Sequence, residues 1–375
     1  MNRRVCFVIN QLGGIGSGGS DRVVSVLANE LDARGWSVDI CALTDDRTIA
    51  RELKPGIRTR FIKPIRVPFR PLQILLRMLK GTRLVAAYRR EHPEALIVSF
   101  IAWVNICATI GSLGYSGGLV LSERTDPATE PGSAVARKVR DLCYQRADRL
   151  VFQTPDAMRY FNSTIQSRGR VIGNPVSGGL PQWQPKPGAR TIVAASRLEV
   201  QKNIPLLLKA FERFRQAHPD YRLIVFGEGK QRTAMEQLLQ SLRIADAVDL
   251  PGHASDLHDR LKTGTMFVMS SDYEGMPNSL LEAMSMGMPV ISTDCPVGGP
   301  RMLITDNENG ILTPVGDVEA LSNAMDKLAT DPELANHMAQ RASETGTAYD
   351  LRNIASEWEI VLSELSVERE SRVEA

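Results

Sequence analysis

Two carboxylates, Glu274 and Glu282, stand eight positions apart around the turn Gly275-Met276-Pro277, which follows the apolar run 265–269. Pro277 is predicted at the first position of a helix, where its missing N–H costs nothing. The amides of Asn278 and Ser279 then stand open at the helix start. A helix start of this kind binds phosphate through its amides and its dipole. Glu274 precedes it and reaches what lies beyond the phosphate. Glu282, over a turn further on, accepts hydrogen bonds from hydroxyls on the other side. One acid for a sugar, amides for a diphosphate and one acid for a ribose together describe a nucleotide-sugar site.

Four further loops belong with this one. Arg197 and Lys202 follow the apolar run 191–195 and place two cations five positions apart, a spacing that straddles a diphosphate and neutralises it as it leaves. Taken alone, that loop reads first as a solvated charged turn. Glu228 lies in the flexible turn Phe226-Gly227-Glu228-Gly229. Pro251-Gly252-His253 leads to Asp256, a plausible N-cap. Val297-Gly298-Gly299-Pro300 exposes backbone beside Arg301. Each loop follows a strand-like run, and open α/β sheets bind ligands at the carboxyl ends of their strands.

The elements that hold these loops follow from length and pattern. A chain of 375 residues exceeds what one core organises, so two domains are expected. Strand-like runs at 5–10, 37–43, 96–100, 119–123 and 149–153 alternate with helical patterns. A second series lies at 191–195, 222–226, 248–250, 265–269, 289–293 and 310–313. The fold class is α/β, with parallel sheets covered by helices. The expected boundaries are 1–173, a Pro/Gly-rich linker at 174–190, 191–348, and 349–375 with an amphipathic helix carrying Trp358. Five scattered cysteines without a Cys-x-x-Cys pair suit buried thiols in a reducing compartment. The start reads as a first strand and not as a signal peptide. No charge falls between Glu94 and Glu123, but polar residues and a Gly-Tyr-Ser-Gly-Gly turn break that segment into strand, helix and strand, not a membrane span.

After the first run comes a glycine loop. Gly14, Gly16 and Gly19 match a G-x-G-x-x-G spacing, and Asp39 falls near the acid of a dinucleotide fold. Asp39 sits inside its strand-like run instead of at the end, and nothing supplies a hydride-transfer acid–base pair. What remains is a glycine loop before a helix, at Gly18 and Gly19, that another molecule approaches closely, or a tight turn with no ligand.

The pattern Arg197…Lys202…Glu274-x7-Glu282, with Gly18-Gly19-Ser20-Asp21-Arg22-Val23 in the first half, resembles the family 4 retaining glycosyltransferases. The resemblance extends from there to Trp358. It implies the GT-B fold: two Rossmann-like domains facing across a cleft, with the C-terminal helix crossing back to the first. It implies that Arg197 and Lys202 hold the donor diphosphate, Glu282 the ribose and Glu274 the sugar hydroxyls. Gly275, Met276, Asn278, Ser279, Gly18, Gly19 and Glu228 complete the donor contacts. It implies no metal and no cofactor, in keeping with the absence of an Asp-x-Asp pair. Many relatives carry a histidine after the fourth strand; here the chain reads Ser99-Phe100-Ile101-Ala102-Trp103-Val104-Asn105. Ser99 and Asn105, with Glu123 and Arg124 of Ser122-Glu123-Arg124-Thr125-Asp126-Pro127, are similar to the acceptor side of transferases that extend bacterial lipid-linked glycans. UDP is the favoured donor base on that ground. A nucleotide-sugar epimerase of the same architecture and a GDP-mannose-type transferase are the alternatives.

The charge is distributed unevenly. Between Leu53 and Arg90 lie eleven Lys or Arg and no acid; removing them from a net charge of +2 leaves the rest at −9. Apolar residues are interleaved, among them Phe69, Leu72, Ile74, Leu75 and Leu79. This pattern predicts docking of residues 54–90 on an anionic membrane surface, or a solvated face packed on its own domain. Nucleic acid is not expected, because interleaved stacking aromatics are few. The implied partners are a nucleotide sugar and a polyisoprenyl-diphosphate-linked glycan, met at the inner face of the cytoplasmic membrane.

Overall fold

The computed structural model describes residues 3–14, 19–65, 67–185 and 188–374, with side chains to Arg369. Apolar runs become parallel strands because helices cover both of their faces; Leu96–Phe100 and Leu119–Glu123 are buried at every position. The first sheet comprises β1 (Arg4–Ile9), β2 (Ser37–Ala42), β3 (Arg58–Phe61), β4 (Leu96–Phe100), β5 (Leu119–Glu123), β6 (Arg149–Phe152) and β7 (Gly169–Val171). Its order is β3-β2-β1-β4-β5-β6-β7. The second comprises β8 (Thr191–Ala195), β9 (Arg222–Phe226), β10 (Val248–Gly252), β11 (Met266–Met269), β12 (Val290–Thr293) and β13 (Ile311–Thr313), in the order β10-β9-β8-β11-β12-β13. In each sheet the order reverses beside its first strand, between β1 and β4 and between β8 and β11. Doubly wound sheets bind ligands outside the carboxyl ends at such a switch point.

The chain forms two compact units, Met1–Pro175 with Leu351–Ala375, and Val176–Asp350. In the first, the Leu351–Glu374 helix packs on the Gly19–Ala33 helix. Trp36 Nε1 donates to Glu359 (3.1 Å), and Arg34 donates to Glu359 (3.2 Å) and to the Arg352 carbonyl (2.8 Å). Trp358 is fully buried, its ring 5.7 Å from that of Phe100. In the second unit, alternate residues of β11 face opposite cores: Val268 packs with Leu207, Phe211 and Val225, while Phe267 and Met269 pack with Leu280, Met284 and Val290.

The segment expected as a linker departs from that role. From Val176 onward it belongs to the second unit, where Trp183 donates its amide to Met286 (2.7 Å) and its indole N–H to Gly264 (2.8 Å). Two short strands, β3 and β7, were not among the expected runs. Asp39 is fully buried in β2, where it accepts hydrogen bonds from Arg4 (3.1 Å), Arg58 (2.8 Å) and Tyr88 (2.8 Å), which closes the dinucleotide reading of that acid.

Candidate active site

The second-unit loops meet at the switch point between β8 and β11. After β8, Ser196 N donates to Phe226 O and Leu198 N to Glu228 O, both at 2.9 Å, stitching the Arg197 loop to the end of β9. The stitch requires Gly227, whose φ is +133°; a Cβ there would collide with the Ser196 carbonyl. Arg197 is exposed, and no side-chain partner holds its guanidinium among the described residues. A single turn, Val200–Lys202, then leads to Asn203, which caps the Ile204–Ala217 helix by accepting from Leu206 N (3.2 Å).

Three bonds fasten this segment to the loop after β11. Asn203 Nδ2 donates to Asp272 (2.7 Å), Asp272 N to the Gln201 carbonyl (2.9 Å), and Ser270 Oγ to the Lys202 carbonyl (3.0 Å). The result is an ion pair between Lys202 and Glu274 whose side chains keep only 14% and 9% of their exposure. The same carboxylate oxygen accepts from Ser271 Oγ (2.7 Å), and Gln201 Nε2 lies 3.5 Å from the other. The Glu274 backbone is clamped in turn: its N–H donates to Pro296 O (2.6 Å) and its carbonyl accepts from Val297 N (2.8 Å). Gly299 abuts the Gly275 carbonyl so closely that no Cβ fits. Burial and the neighbouring Glu274 push the Cys295 thiol up to about 12.

The Asn278–Ser285 helix follows. Pro277 is its N-cap residue and not its first helical residue, so the amides of Asn278 and Ser279 still form the helix start. Glu282 is buried one turn in, with Oε2 2.8 Å from His258 Nε2. The Met276 side chain, expected at the donor, is a core residue packed with Leu280 and Met284; only its backbone faces the turn. Arg197, Lys202, Glu274, Gly275 and the helix start are thus brought to neighbouring loops, with Glu282 behind them. One exposed cation, one half-buried cation held by a carboxylate and a helix start make a site for a dianion with hydroxyls beyond it.

Other expected residues lie elsewhere. Glu228 is exposed and paired with Arg232 (2.6 Å). Asp256 gives no side-chain cap; it takes Arg260 instead (2.9 Å). Gly19 opens its helix, and Gly18 lies outside the described residues. Ser99, Asn105 and Glu123 are buried in one chain of hydrogen bonds. Ser99 Oγ donates to Asn105 Oδ1 (2.6 Å), Asn105 Nδ2 to Tyr144 OH (2.8 Å), and Tyr144 OH to Glu123 Oε2 (2.8 Å). These side chains make their hydrogen bonds inside the first unit, linking β4 and β5 through two helix residues, and are corrected from acceptor contacts to internal ones. The residues missed were those that position others: Gln201, Asn203, Ser271 and Asp272 around the ion pair, and His258 at Glu282. Adjacency to Lys202 and Glu274 marks the first four; nothing in the sequence links His258 to Glu282.

Part of the basic stretch is engaged within the fold. Arg58 is held by Asp39, Arg60 by Glu91 (2.7 Å), Arg77 by the Leu43 carbonyl (2.7 Å) and Lys80 by the Pro64 carbonyl (2.7 Å). Arg89 is fully buried and donates to the carbonyls of Ala95 and Gly118. Lys54, Lys63, Arg70, Arg83 and Arg90 remain exposed, and Arg66 lies outside the described residues. Pro71 is the second residue of the Arg70–Glu91 helix, whose first turns expose Leu72, Ile74, Leu75 and Leu79 beside Phe69. No helix among the described residues is long and apolar enough to cross a membrane.

Comparison with known proteins assigns both halves. Residues 18–175 match the model of the glycosyl transferase 4-like domain, and residues 181–345 that of glycosyl transferases group 1. The chain belongs to the family 4-type glycosyltransferases. It is 26% identical to a lipopolysaccharide core biosynthesis glycosyltransferase of Rhizobium meliloti, over 88% of this chain and 90% of that protein. It is 23% identical to a Campylobacter jejuni alpha-1,4-N-acetyl-D-galactosaminyltransferase named for a PP-undecaprenol-linked glycan, over 96% and 99%. A third match, 32% identical, is an exopolysaccharide phosphotransferase of Streptomyces coelicolor; it covers 48% of this glycosyltransferase and only 19% of that longer protein. Among solved structures, sucrose-phosphate synthase from Thermosynechococcus elongatus superposes with a TM-score of 0.83 at 22% identity, covering 98% of this chain and all of that one. The fold of the glycosyltransferase is therefore GT-B.

Proposed function

We propose that this glycosyltransferase moves a hexosyl or N-acetylhexosaminyl residue from a nucleoside-diphosphate sugar, UDP before GDP, to a sugar hydroxyl of a lipid-linked glycan. Transfer proceeds with retention and without a metal. The observation that carries the reading is the largely buried Lys202–Glu274 pair at the switch point, flanked by Arg197 and the Asn278–Ser285 helix start. In this account Arg197, Lys202 and the helix amides take up charge on the leaving diphosphate. The bond from the anomeric carbon to the phosphate oxygen breaks, and the acceptor oxygen bonds on the same face. The acceptor proton passes to the departing phosphate oxygen, so no side-chain base is required. Glu274 holds sugar hydroxyls near the reacting carbon, and Glu282 the ribose. The glycan class follows the relatives that act on lipopolysaccharide core and undecaprenol-linked substrates.

Such an acceptor lies at the inner face of the cytoplasmic membrane, and the enzyme docks there peripherally. The exposed cations and apolar residues at the start of the Arg70–Glu91 helix complement an anionic bilayer, each surface cation contributing about 1 kcal/mol. The Ala102–Gly111 helix packs on the Arg70–Glu91 helix and the Ala134–Tyr144 helix packs on it in turn, exposing Val135 and Leu142.

A thermal-shift panel of UDP- and GDP-sugars tests the donor. A ligand at a hundred times its dissociation constant adds about 2.7 kcal/mol, so one UDP-sugar is expected to raise the melting temperature. Stabilisation by GDP-sugars alone would reverse the base assignment, and no response to any nucleotide sugar would overturn the donor reading.

A further inference from the structure

The carboxyl ends of β4 and β5 carry a second group of buried polar atoms, separate from the donor loops. Arg124, the residue after β5, keeps 8% of its surface, yet neither terminal guanidinium nitrogen has a hydrogen-bond partner. The adjacent carboxylate does not serve it. Glu123 faces the other side of the sheet, where its oxygens are taken by Tyr144 OH (2.8 Å), Thr125 Oγ1 (2.9 Å) and two backbone amides. The guanidinium lies instead over the Phe100 ring, 4.8 Å from its centroid. Phe100 pairs in register with Ser122, and its ring neighbours that of Trp358. Ser122 Oγ and Trp358 Nε1 are likewise buried without a partner.

Three residues around one aromatic ring thus have unmet hydrogen-bonding capacity, and one of them is charged. Native interiors leave few such groups, and an unpaired buried charge is the most costly of them. Burial pulls the Arg124 pKa down to about 9 and outweighs the opposing charge of Glu123, which makes no hydrogen bond to it. The strand end is strained as well: Ile101, next after Phe100, has φ 70° and ψ 145°, a conformation that β-branched residues avoid and that clusters at ligand sites.

We infer that Arg124, with Ser122 and Trp358 beside it, forms an oxyanion site in the first unit for a phosphate or carboxylate group of the acceptor. A planar fork held flat on an aromatic face suits two oxygens of one anion, and Trp358 and Ser122 supply further donors. Arg124 stands at a carboxyl strand end, one strand from the first sheet's switch point, the edge at which doubly wound sheets meet ligands. Naming the acceptor as the bearer rests on the transfer reading; the site itself does not. A diphosphate-linked carrier and an acidic sugar are the two sources of such an anion.

The test titrates inorganic pyrophosphate and glucuronate, at constant ionic strength, into the full chain carrying Arg197→Ala, which weakens the second-unit donor site, and into the same chain with Arg124→Met added. Isothermal calorimetry and Trp358 emission report binding. One anion is expected to bind the first protein and to bind the second at least tenfold more weakly. Pyrophosphate assigns the carrier and glucuronate an acidic sugar. Ligand-free Arg124→Met is expected to melt close to wild type, because removing an unpaired buried charge offsets the lost contact with the Phe100 ring. Equal binding in the two proteins, or no binding to either, overturns the inference. Arg124→Lys, which keeps the charge without the fork, provides the comparison should the Met variant fail to fold. UDP binding to wild type is measured in parallel: its absence counts against the transfer reading, not against this site.

Discussion

Replacing Lys202 by Met tests how the donor loops are held. The ammonium and the Glu274 carboxylate retain 14% and 9% side-chain exposure, close to the buried limit, where breaking a pair costs about 3–5 kcal/mol against at most about 1 at a surface. Ser271 Oγ and Gln201 still offer the abandoned carboxylate donors, so the lower end, about 3 kcal/mol, is expected. For a unit the size of Val176–Asp350, each kcal/mol moves the melting temperature by about 2–4 °C, giving a fall of about 6–12 °C. Calorimetry is the assay, because two units need not melt together. Adding Glu274→Gln removes the orphaned charge and should restore all but about 1 kcal/mol of the loss. A Lys202→Met chain within about 1 kcal/mol of wild type would refute the reasoning, since the pair would then behave as a solvated one.

Further outcomes follow from the same geometry. Glu274→Gln alone should lower turnover at least about a hundredfold, as removing an electrostatic group from a transition-state site does; near-wild-type turnover would sink the sugar-holding role of that acid. Gly299→Ala forces a Cβ into the Gly275 carbonyl, and should abolish UDP stabilisation in the thermal-shift assay; an unchanged response would show that the Glu274 turn does not depend on that contact. Arg89→Met leaves two buried carbonyls without their donor and should cost about 3 kcal/mol or more, whereas Arg83→Met should leave stability unchanged while weakening co-sedimentation with anionic vesicles. The five buried cysteines, with Cys295 held near 12 and Cys107 near 11, should resist a thiol reagent at pH 8 until urea is added; a fast-reacting thiol in the native chain would contradict their burial.

Most of the fold was legible because apolar strand runs in a parallel sheet are covered on both faces and need no partner to announce themselves. β4, β5, β8 and β9 fall where the runs placed them. The edge strands did not: β3 reads Arg-Thr-Arg-Phe and β7 only Gly-Arg-Val, too polar or too short to carry a period. The donor loops were readable because each follows a strand and bears its chemistry within a few residues. The Ser99–Asn105–Tyr144–Glu123 chain was not, because Tyr144 lies 39 positions from Asn105 and a polar residue does not disclose whether its partner is internal. The charge count between Leu53 and Arg90 overstates the free cations for the same reason. Arg77 and Arg89 are answered by backbone carbonyls, which a sum of formal charges does not include.

The central claim, a nucleotide-sugar donor site at the carboxyl ends of β8 and β11, is tested most directly at Arg197. Its guanidinium is exposed and serves no bond within the described fold, so Arg197→Ala separates binding from stability as Lys202 substitutions cannot. Calorimetric titration of UDP into wild type and Arg197→Ala, with their melting temperatures measured alongside, is the decisive experiment. The account predicts melting temperatures within about 1 °C of each other, since surface substitutions away from special features stay within about 0.5 kcal/mol, and UDP affinity at least about tenfold weaker in the variant, the scale of a lost charge-assisted bond. Equal UDP affinity in the two proteins would contradict it.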